Sequence, residues 1–435
     1  MSLTDPWVFT TTRAQTAYFI NAAGALELAA TNTLRDRHYP FGWANGAPIG
    51  PRTTLLEPTS TNSCLKSQAL DHATWPRNLL TTVAADATAA PDGTTTADRI
   101  VPDATSSTFH YILQALTITA NENLAVSGFF KTSGYAGLWL RVTDGAGTNF
   151  FGVTVDVITG AVTNSTGGAG AVAGAVVVPM AKGWFWVSVR GAVGAGVTAS
   201  SFQAFVYDTK THADSATAYS GDTVQGIYGW GMQFERFGVS PAVSPSTTYM
   251  PTDVATTTRN ADGVAVPWPY PTIPQWCYTK AVDLGGSIRG PGFGAGTLMN
   301  LTTATASDPQ WIGHFHRLSG HPGASWISDA GPGGVGSHNR NTIDGTVSPQ
   351  PYDTVETFSR VFRDGSTAFA NRLNGGAVAV SGNVGPSGAF PFSDIATPTL
   401  LKLGSFTGGA LDGLLVLKIG ADPTRIVTLD QAALA

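Results

Sequence analysis

Seven aromatic and polar residues are candidates for a sugar-binding surface. They alternate with apolar residues at a period of two, so on strands they share the face opposite the apolar side chains. Sugars present flat C–H faces and hydroxyl groups, which match aromatic rings and planar hydrogen-bonding groups. The pattern predicts either a glycan-binding face or tryptophans covered by an N-terminal arm or another subunit. The candidates are Trp139, Arg141, Trp184, Trp186, Arg190, Gln233 and Glu235.

His314 and His316 are the best candidates for a metal site. Residues two apart on a strand face the same side, so both imidazoles could approach one ion. In a trimer, such pairs near the axis would supply six nitrogens. No cysteine lies nearby, and Asp308 is the closest carboxylate. We therefore expect no metal here and interpret the pair as exposed or hydrogen-bonded histidines.

Two Asp-Gly pairs, Asp92-Gly93 and Asp412-Gly413, are candidates for calcium sites at strand ends. Carboxylate oxygens suit this ion, but Asp-Gly is also an ordinary turn signal. No EF-hand spacing occurs. We expect no obligatory cofactor, with Ca²⁺ as the open alternative.

Carboxylates that could cleave a glycosidic bond are limited to Asp353, Glu356 and Asp364. Glycoside hydrolysis uses two such groups across a cleft. The chain has only five glutamates, and none of the carboxylates sits in a recognisable catalytic motif. No phosphate-binding loop, dinucleotide fingerprint or nucleophile elbow is present. The prediction is a protein that is not an enzyme, with a polysaccharide depolymerase as the alternative.

Strands must position these side chains, because apolar residues recur at every second position. Leu138, Leu140 and Val142 face one way, as do Phe185, Val187 and Val189. The same pattern predicts one apolar face for a further set of residues. These are Tyr228, Trp230, Met232 and Phe234. Short strands separated by glycine turns are typical of an antiparallel sandwich or jelly roll.

Composition and length predict an all-β chain of several domains. Of 435 residues, 51 are Gly and only 12% are charged. Proline-rich stretches mark boundaries, which gives an arm over 1–60, a jelly roll over 61–265 and a concanavalin-like sandwich over 266–435. The arm is too rich in Pro and Gly to bury much by itself. It is interpreted either as a segment lying on its own domains or as an anchor to other proteins.

Charge and hydropathy exclude several partners. The net charge of −5, with no basic run, argues against nucleic acid. We expect no membrane insertion, since the most apolar stretch, 167–180, is too short to span a bilayer. The N-terminus lacks the pattern of a signal peptide. Cys64 and Cys277 lie in different predicted domains, so a disulfide between them is not expected.

Two groups of motifs about 130 residues apart carry a resemblance to a known family. The first comprises Leu55-Leu56-Glu57-Pro58, Thr61-Asn62, Trp75 and the run 90–98. The second comprises Tyr228 to Glu235, Tyr249-Met250-Pro251-Thr252 and Thr258-Arg259-Asn260-Ala261-Asp262. Together with Thr11–Phe19 and Gly46–Gly50, they resemble virion surface proteins of tailed bacteriophages and phage-like particles. Those proteins are head spikes, head fibres and receptor-binding tail proteins.

The resemblance covers roughly residues 8–265 and implies a function. It implies a structural protein made in the bacterial cytoplasm and displayed on the particle surface. A jelly roll similar to carbohydrate-binding modules would bind host cell-surface polysaccharide, and the arm would contact other virion proteins. A homo-oligomer is expected, with a trimer favoured by analogy with phage fibres. The alternative is an architectural particle protein without glycan affinity, in which Trp184 and Trp186 are buried against protein.

Overall fold

The computed structural model describes residues 10–237, 246–267, 276–283, 297–302, 312–315, 324–327, 339–342, 353–361, 367–381, 400–403 and 412–420. Within these residues strands are the dominant secondary structure, with one short α-helix, α1 (Lys210–Asp214), and one 3₁₀ turn over Ala181–Gly183. The all-β prediction is confirmed. The strands are β1(Thr10–Thr12), β2(Ala17–Ile20), β3(Leu26–Ala29), β4(Trp43–Ala44), β5(Ala47–Pro48), β6(Thr54–Leu56), β7(Ser60–Asn62), β8(Arg77–Asn78), β9(Leu80–Thr88), β10(Ala97–Pro102), β11(Tyr111–Thr117), β12(Leu124–Ser133), β13(Gly137–Asp144), β14(Phe150–Asp156), β15(Val162–Gly167), β16(Ala171–Pro179), β17(Phe185–Ala192), β18(Ala199–Tyr207), β19(Gly226–Arg236), β20(Thr257–Arg259), β21(Gly263–Pro267), β22(Trp276–Asp283), β23(Thr297–Thr302), β24(Ile312–Phe315), β25(Ala324–Ile327), β26(Asn339–Thr342), β27(Thr354–Val361), β28(Thr367–Leu373), β29(Ala379–Ser381), β30(Leu400–Leu403) and β31(Asp412–Gly420).

Two six-stranded antiparallel sheets form the central sandwich. The first sheet has the order β16-β17-β12-β19-β10-β9, and the second has the order β15-β14-β13-β18-β11-β8. Their inner faces share one hydrophobic core, in which Phe130 and Val187 of the first sheet are buried with Leu140 and Phe202 of the second. Period-two burial of this kind leaves each sheet with an outer face of its own.

A β-bulge in β19 places the apolar residues of 228–234 on two faces of the sheet, not on one as predicted. Met232 and Phe234 join the core between the sheets, whereas Trp230 and Tyr228 pack on the outer face of the first sheet. Between them Gly231 has a φ of 66°, and the register of β12 against β19 shifts at the same level. An extra residue in a strand reverses the side to which later residues point. The prediction of one apolar face along 228–234 was therefore wrong.

The N-terminal arm lies on both remaining parts of the chain. Tyr18, Ile20 and Leu26 of its β2–β3 hairpin pack on the outer face of the first sheet. At its ends, β1 pairs with β21 and β6 pairs with β31, so the arm adds a strand to each of two further sheets. Those sheets have the orders β1-β21-β30-β23-β24-β25-β26 and β29-β28-β27-β22-β31-β6. The arm thus joins the central sandwich to the C-terminal strands.

A buried ionic cluster lies where the arm meets the segment that follows β19. It consists of Arg13, Arg35, Glu57, Arg259 and Asp262. Arg35 bonds both carboxylates, while Arg13 Nη1 lies 2.8 Å from Asp262 Oδ1 and Arg259 Nη1 lies 3.1 Å from Glu57 Oε2. All five side chains are almost completely excluded from solvent. Buried charges need oppositely charged partners of this kind. Because the partners come from residues 13–35, from Glu57 and from residues 259–262, the cluster holds three distant segments of the chain together.

Acid should weaken this junction. Burial and the neighbouring Arg35 lower the pKa of His38 to about 3, and its neutral Nδ1 accepts a bond from the Ile20 amide. Burial alone would raise the pKa of Glu57, but Arg259, Arg35 and Thr248 outweigh it and lower that pKa to about 2. Both folded-state values lie below the ordinary ones, so both groups favour folding at neutral pH. The contribution of His38 is lost as pH falls from 6.5 towards 3, and that of Glu57 from 4.5 towards 2.

The measurement is the urea concentration at the midpoint of unfolding, determined at a series of pH values from 7 to 3. We expect it to fall continuously with pH. In His38→Gln, whose amide oxygen can still accept the Ile20 bond, the curve should flatten between pH 6.5 and 4.5. An unchanged slope in that window would assign the acid sensitivity to other groups.

Candidate functional site

The seven predicted sugar-binding residues do not form one surface. Trp139 and Arg141 belong to β13 of the second sheet, whereas the other five belong to β17 and β19 of the first sheet or to the residue preceding β17. All seven point away from the core between the sheets or lie at its edge. The two outer faces are on opposite sides of the sandwich, so a single site containing all seven is excluded. Each face has to be considered separately.

The outer face of the first sheet is covered by the arm. Trp184 is 1% exposed and packs with Tyr18, Ile20 and Leu26, and its Nε1 donates to the Ala89 carbonyl at 3.2 Å. Trp186 is half-buried against the same cluster. Trp184 therefore cannot serve as a sugar platform, and the prediction that it does is wrong. The alternative, that the arm covers it, is what the structure shows.

Gln233 and Glu235 are also sealed from solvent. Glu235 accepts bonds from the hydroxyls of Ser60 and Thr247, and Gln233 Nε2 donates to Glu235 Oε2 at 2.9 Å. Gln233 Oε1 accepts from the Met250 amide at 2.8 Å. Both side chains are 0% exposed. They fasten the segment after β19 to the sheet, and their predicted sugar contact is wrong.

Arg190 is 7% exposed, and its guanidinium lies beside Gly174 of the neighbouring β16. A Cβ at Gly174 would approach Arg190 Nε to 2.6 Å, so a side chain there would displace the guanidinium. The Arg190 side chain therefore packs against β16, the edge strand of the first sheet. It is not part of an open binding face.

The outer face of the second sheet carries a different set of aromatic side chains. Cross-strand pairing puts Tyr111, Phe205 and Trp139 in one row, because Phe205 pairs with both of the others. The rings of Tyr111 and Phe205 are stacked at 4.4 Å, and those of Trp139 and Phe205 are 4.8 Å apart. Phe150 of β14 meets Trp139 edge-on at 5.5 Å. Trp139 and Phe205 are only 4% and 2% exposed, so they form a buried floor, and the predicted sugar contact of the Trp139 ring is wrong. The half-buried rings of Tyr111 and Phe150 are the ones that reach solvent.

Arg141 lies over this floor. Its Cζ is 4.3 Å from the centroid of Trp139, 4.7 Å from that of Phe205 and 5.0 Å from that of Phe150. Its Nε donates to Gln203 Oε1 at 2.8 Å, which fixes the plane of the guanidinium. Arg141, Phe150 and Tyr111 are half-buried rather than sealed. A cation held over rings beside an amide is a pre-formed polar and aromatic surface.

Two buried polar atoms of this face have no hydrogen-bond partner among the described residues. They are Trp139 Nε1 and the hydroxyl of Tyr207. A buried polar group without a hydrogen bond costs about 1–3 kcal/mol. Opposite Arg141, Gly152 leaves room for the Arg141 side chain, since a Cβ there would lie 2.6 Å from Arg141 Cβ and 2.5 Å from the Leu140 carbonyl oxygen. We refer to the surface formed by Tyr111, Trp139, Arg141, Phe150, Gln203 and Phe205 as the aromatic face.

The helix α1 closes one end of the aromatic face. It packs against β13, β14 and β18, and its Asp214 accepts a bond from the hydroxyl of Thr154. The Thr209 side chain caps it by accepting from the His212 amide. Tyr219, in the segment that follows, lies 5.4 Å from the Tyr207 ring. The opposite end, around Arg141 and Phe150, is the open one.

Trp139 and Arg141 were predicted from the sequence, but the partners that complete the face were not. Gln203, Phe205 and Tyr207 alternate along β18 with Phe202, Ala204 and Val206, and all six are buried, so the two sets differ in the face that they occupy and not in exposure. That period of two was a signal available in the sequence. Which strand would pair with β13 was not readable from it, because the pairing joins segments about 60 residues apart.

The remaining predicted metal sites are the two Asp-Gly pairs and the pair of histidines. Asp92 makes an ordinary turn, with its Oδ1 accepting from the Thr94 amide at 2.9 Å and Gly93 at a φ of 88°. Within the described ranges, no three His, Cys, Asp or Glu side chains are grouped to hold a metal. His314 lies on β24, while His316 is outside the described residues. Asp412 opens β31 opposite Leu56.

The two candidate catalytic carboxylates in the described residues accept hydrogen bonds from neighbouring side chains. Glu356 is 3% exposed, and its Oε2 accepts from the Tyr278 hydroxyl at 2.8 Å and from Arg372 Nη2 at 2.6 Å. Asp353 Oδ1 accepts from Asn374 Nδ2 at 2.7 Å in an exposed turn. Asp364 lies outside the described residues. Cys64 and Cys277 are both buried free thiols, so no disulfide joins them.

Neither a scan against protein-family models nor a search of curated proteins finds a match for this chain. None of the helices in the described ranges is long and apolar enough to cross a membrane.

Proposed function

We propose that this protein is an adhesin on the surface of a virion or phage-like particle, and that it binds host cell-surface polysaccharide. The aromatic face is the binding surface, and the central sandwich is a jelly roll similar to carbohydrate-binding modules. The observation that carries the proposal is Arg141, held over three rings by Gln203 at a half-buried surface. Rings that stack on sugar C–H faces and a planar donor beside them suit a glycan.

The proposed mechanism is adhesion without cleavage. Single sugar contacts are weak, so several copies engaging one repetitive polymer would provide the avidity. We propose a homo-oligomer, with a trimer as the first choice by analogy with phage fibres. The N-terminal arm, besides lying on its own chain, would present a surface to other virion proteins. Exposed Leu28 and Ile49 lie on the arm and are available for such contacts.

An architectural particle protein without glycan affinity is the second candidate. The covered tryptophans on the first sheet favour it, because Trp184 is buried against the arm as that alternative expects. The two functions are separated by the dependence of binding on the polysaccharide.

The test is binding of the purified protein to candidate host cells, with and without their surface polysaccharide. Arg141→Ala should weaken binding about 10- to 100-fold, because hydrogen bonds to a charged group are worth about 1.5–3 kcal/mol. Arg37→Ala is the matched control, since it removes the same charge from an arm residue that is 62% exposed. Equal binding by both variants would place the glycan contact away from Arg141, and a wild type whose binding does not depend on the polysaccharide would favour the architectural function.

A further inference from the structure

The guanidinium of Arg141 is a charged group without an acidic partner. In the part of the chain that the structure describes, its polar contact is the bond from Nε to Gln203, and no carboxylate forms an ion pair with it. Burial lowers the pKa of Arg141 to about 10, against smaller opposing effects of Tyr207, Tyr111 and Asp144. The group therefore stays protonated at neutral pH while much of its hydration is lost.

Asp144, the carboxylate that acts on the pKa of Arg141, is held in a turn by hydrogen bonds of its own. Asp144 Oδ1 accepts from the Thr148 amide at 2.9 Å, and its Oδ2 accepts from Asn149 Nδ2 at 2.7 Å. Hydrogen bonds of this kind lower the pKa of Asp144 despite the opposing effect of desolvation, so its charge is held at the turn. The other polar neighbours of Arg141 are the Gln203 amide and the phenols of Tyr111 and Tyr207. None of these supplies a compensating negative charge.

We propose that Arg141 binds the carboxylate of an acidic sugar, such as a uronic acid residue of the polysaccharide. The inference rests on the proposed function, that the aromatic face binds glycan. Nε is occupied by Gln203, so the two terminal nitrogens remain to meet the two carboxylate oxygens end-on. The ring of the same sugar or its neighbour then lies against Phe150 or Tyr111.

Both the local chemistry and the whole-protein charge favour a specific contact over general attraction. A half-buried cation gains most from a ligand that carries the opposite charge into the same apolar surroundings. A neutral sugar would leave that charge uncompensated. The chain as a whole has a net charge of −5, so it does not attract acidic polymers at long range. An acidic glycan must be recognised at a particular position.

The experiment uses the surface polysaccharide purified from a host strain to which the protein adheres. One sample is left native, and in the other the carboxyl groups are chemically reduced to primary alcohols. We expect the reduced polymer to bind the full-length protein at least 10-fold more weakly. Polygalacturonate and its methyl ester form a second matched pair, in which the same backbone is presented with and without charge.

The variants identify the residue responsible. Arg141→Lys keeps the charge but not the planar fork, so it should bind the native polymer more weakly than the wild type and more tightly than Arg141→Ala. For Arg141→Ala, the native and reduced polymers should bind equally, while Arg37→Ala should behave as the wild type.

Each result bears on one of the two proposals. Equal wild-type binding to native and reduced polymer would overturn the acidic-sugar inference and leave glycan adhesion standing. A preference for the native polymer that survives in Arg141→Ala would overturn the role of Arg141. Adhesion that persists on cells stripped of polysaccharide would overturn the proposed function itself.

Discussion

Glu57→Gln is expected to lower the free energy of unfolding by about 3–5 kcal/mol at neutral pH. Removing one member of a buried ion pair leaves the other charge uncompensated in a medium that solvates it poorly. Glu57 is 0% exposed and contacts both Arg35 and Arg259, so two guanidiniums lose a partner at once. Glutamine has nearly the same shape, so the loss reports on charge rather than on a cavity. Urea denaturation followed by tryptophan fluorescence measures it.

Glu27→Gln is the matched control for this prediction. Glu27 also pairs with an arginine of the arm, since Arg37 Nη2 lies 3.3 Å from its Oε1, but the two side chains are 39% and 62% exposed. Exposed pairs contribute about 0–1 kcal/mol, because water and salt screen them. If Glu57→Gln costs no more than Glu27→Gln, the ionic cluster does not stabilise the junction between the arm and the sandwich.

Trp184→Ala is expected to cost about 3–5 kcal/mol, the range for truncating a large buried aromatic side chain. Trp184 packs between the first sheet and the arm, and its loss also leaves the Ala89 carbonyl without its indole donor. Binding to host cells by the protein that remains folded should be unchanged. The reason is that Trp184 and Arg141 lie on opposite outer faces of the sandwich. Denaturation and cell binding are measured on the same preparation.

Trp186→Ala is the control for Trp184. It removes the same side chain two residues further along the same face, where the ring is only half-buried. We expect a smaller loss of about 1–2 kcal/mol, in proportion to the area covered. A larger loss for Trp186 than for Trp184 would show that the arm is not the main cover of this face. If a fully folded Trp184→Ala protein showed reduced adhesion, Trp184 would have to contribute to glycan binding.

Local patterns predicted the class of fold and part of the site. A period of two in hydrophobicity is a property of neighbouring residues, so the strands around Leu138–Val142 and Phe185–Val189 and their inward faces were predictable. For the same reason Trp139 and Arg141 were correctly expected to share a face. The motifs behind the family resemblance have a different role from sugar binding. Glu57, Arg259 and Asp262 meet in the buried ionic cluster, and Gln233 and Glu235 hold the segment beside it.

The tertiary structure alone decided which outer face is open. Trp184 and Trp139 are both buried, but the arm covers the first, because its hairpin, about 160 residues earlier in the chain, packs there, whereas Arg141 and rings of the same sheet cover the second. Gly231 reversed the face of β19 through one left-handed residue, an effect that alternation cannot reveal. Strand formation depends on adjacent residues and was readable from the sequence. Exposure depends on which distant segments pack together, and that is settled only when the whole chain folds.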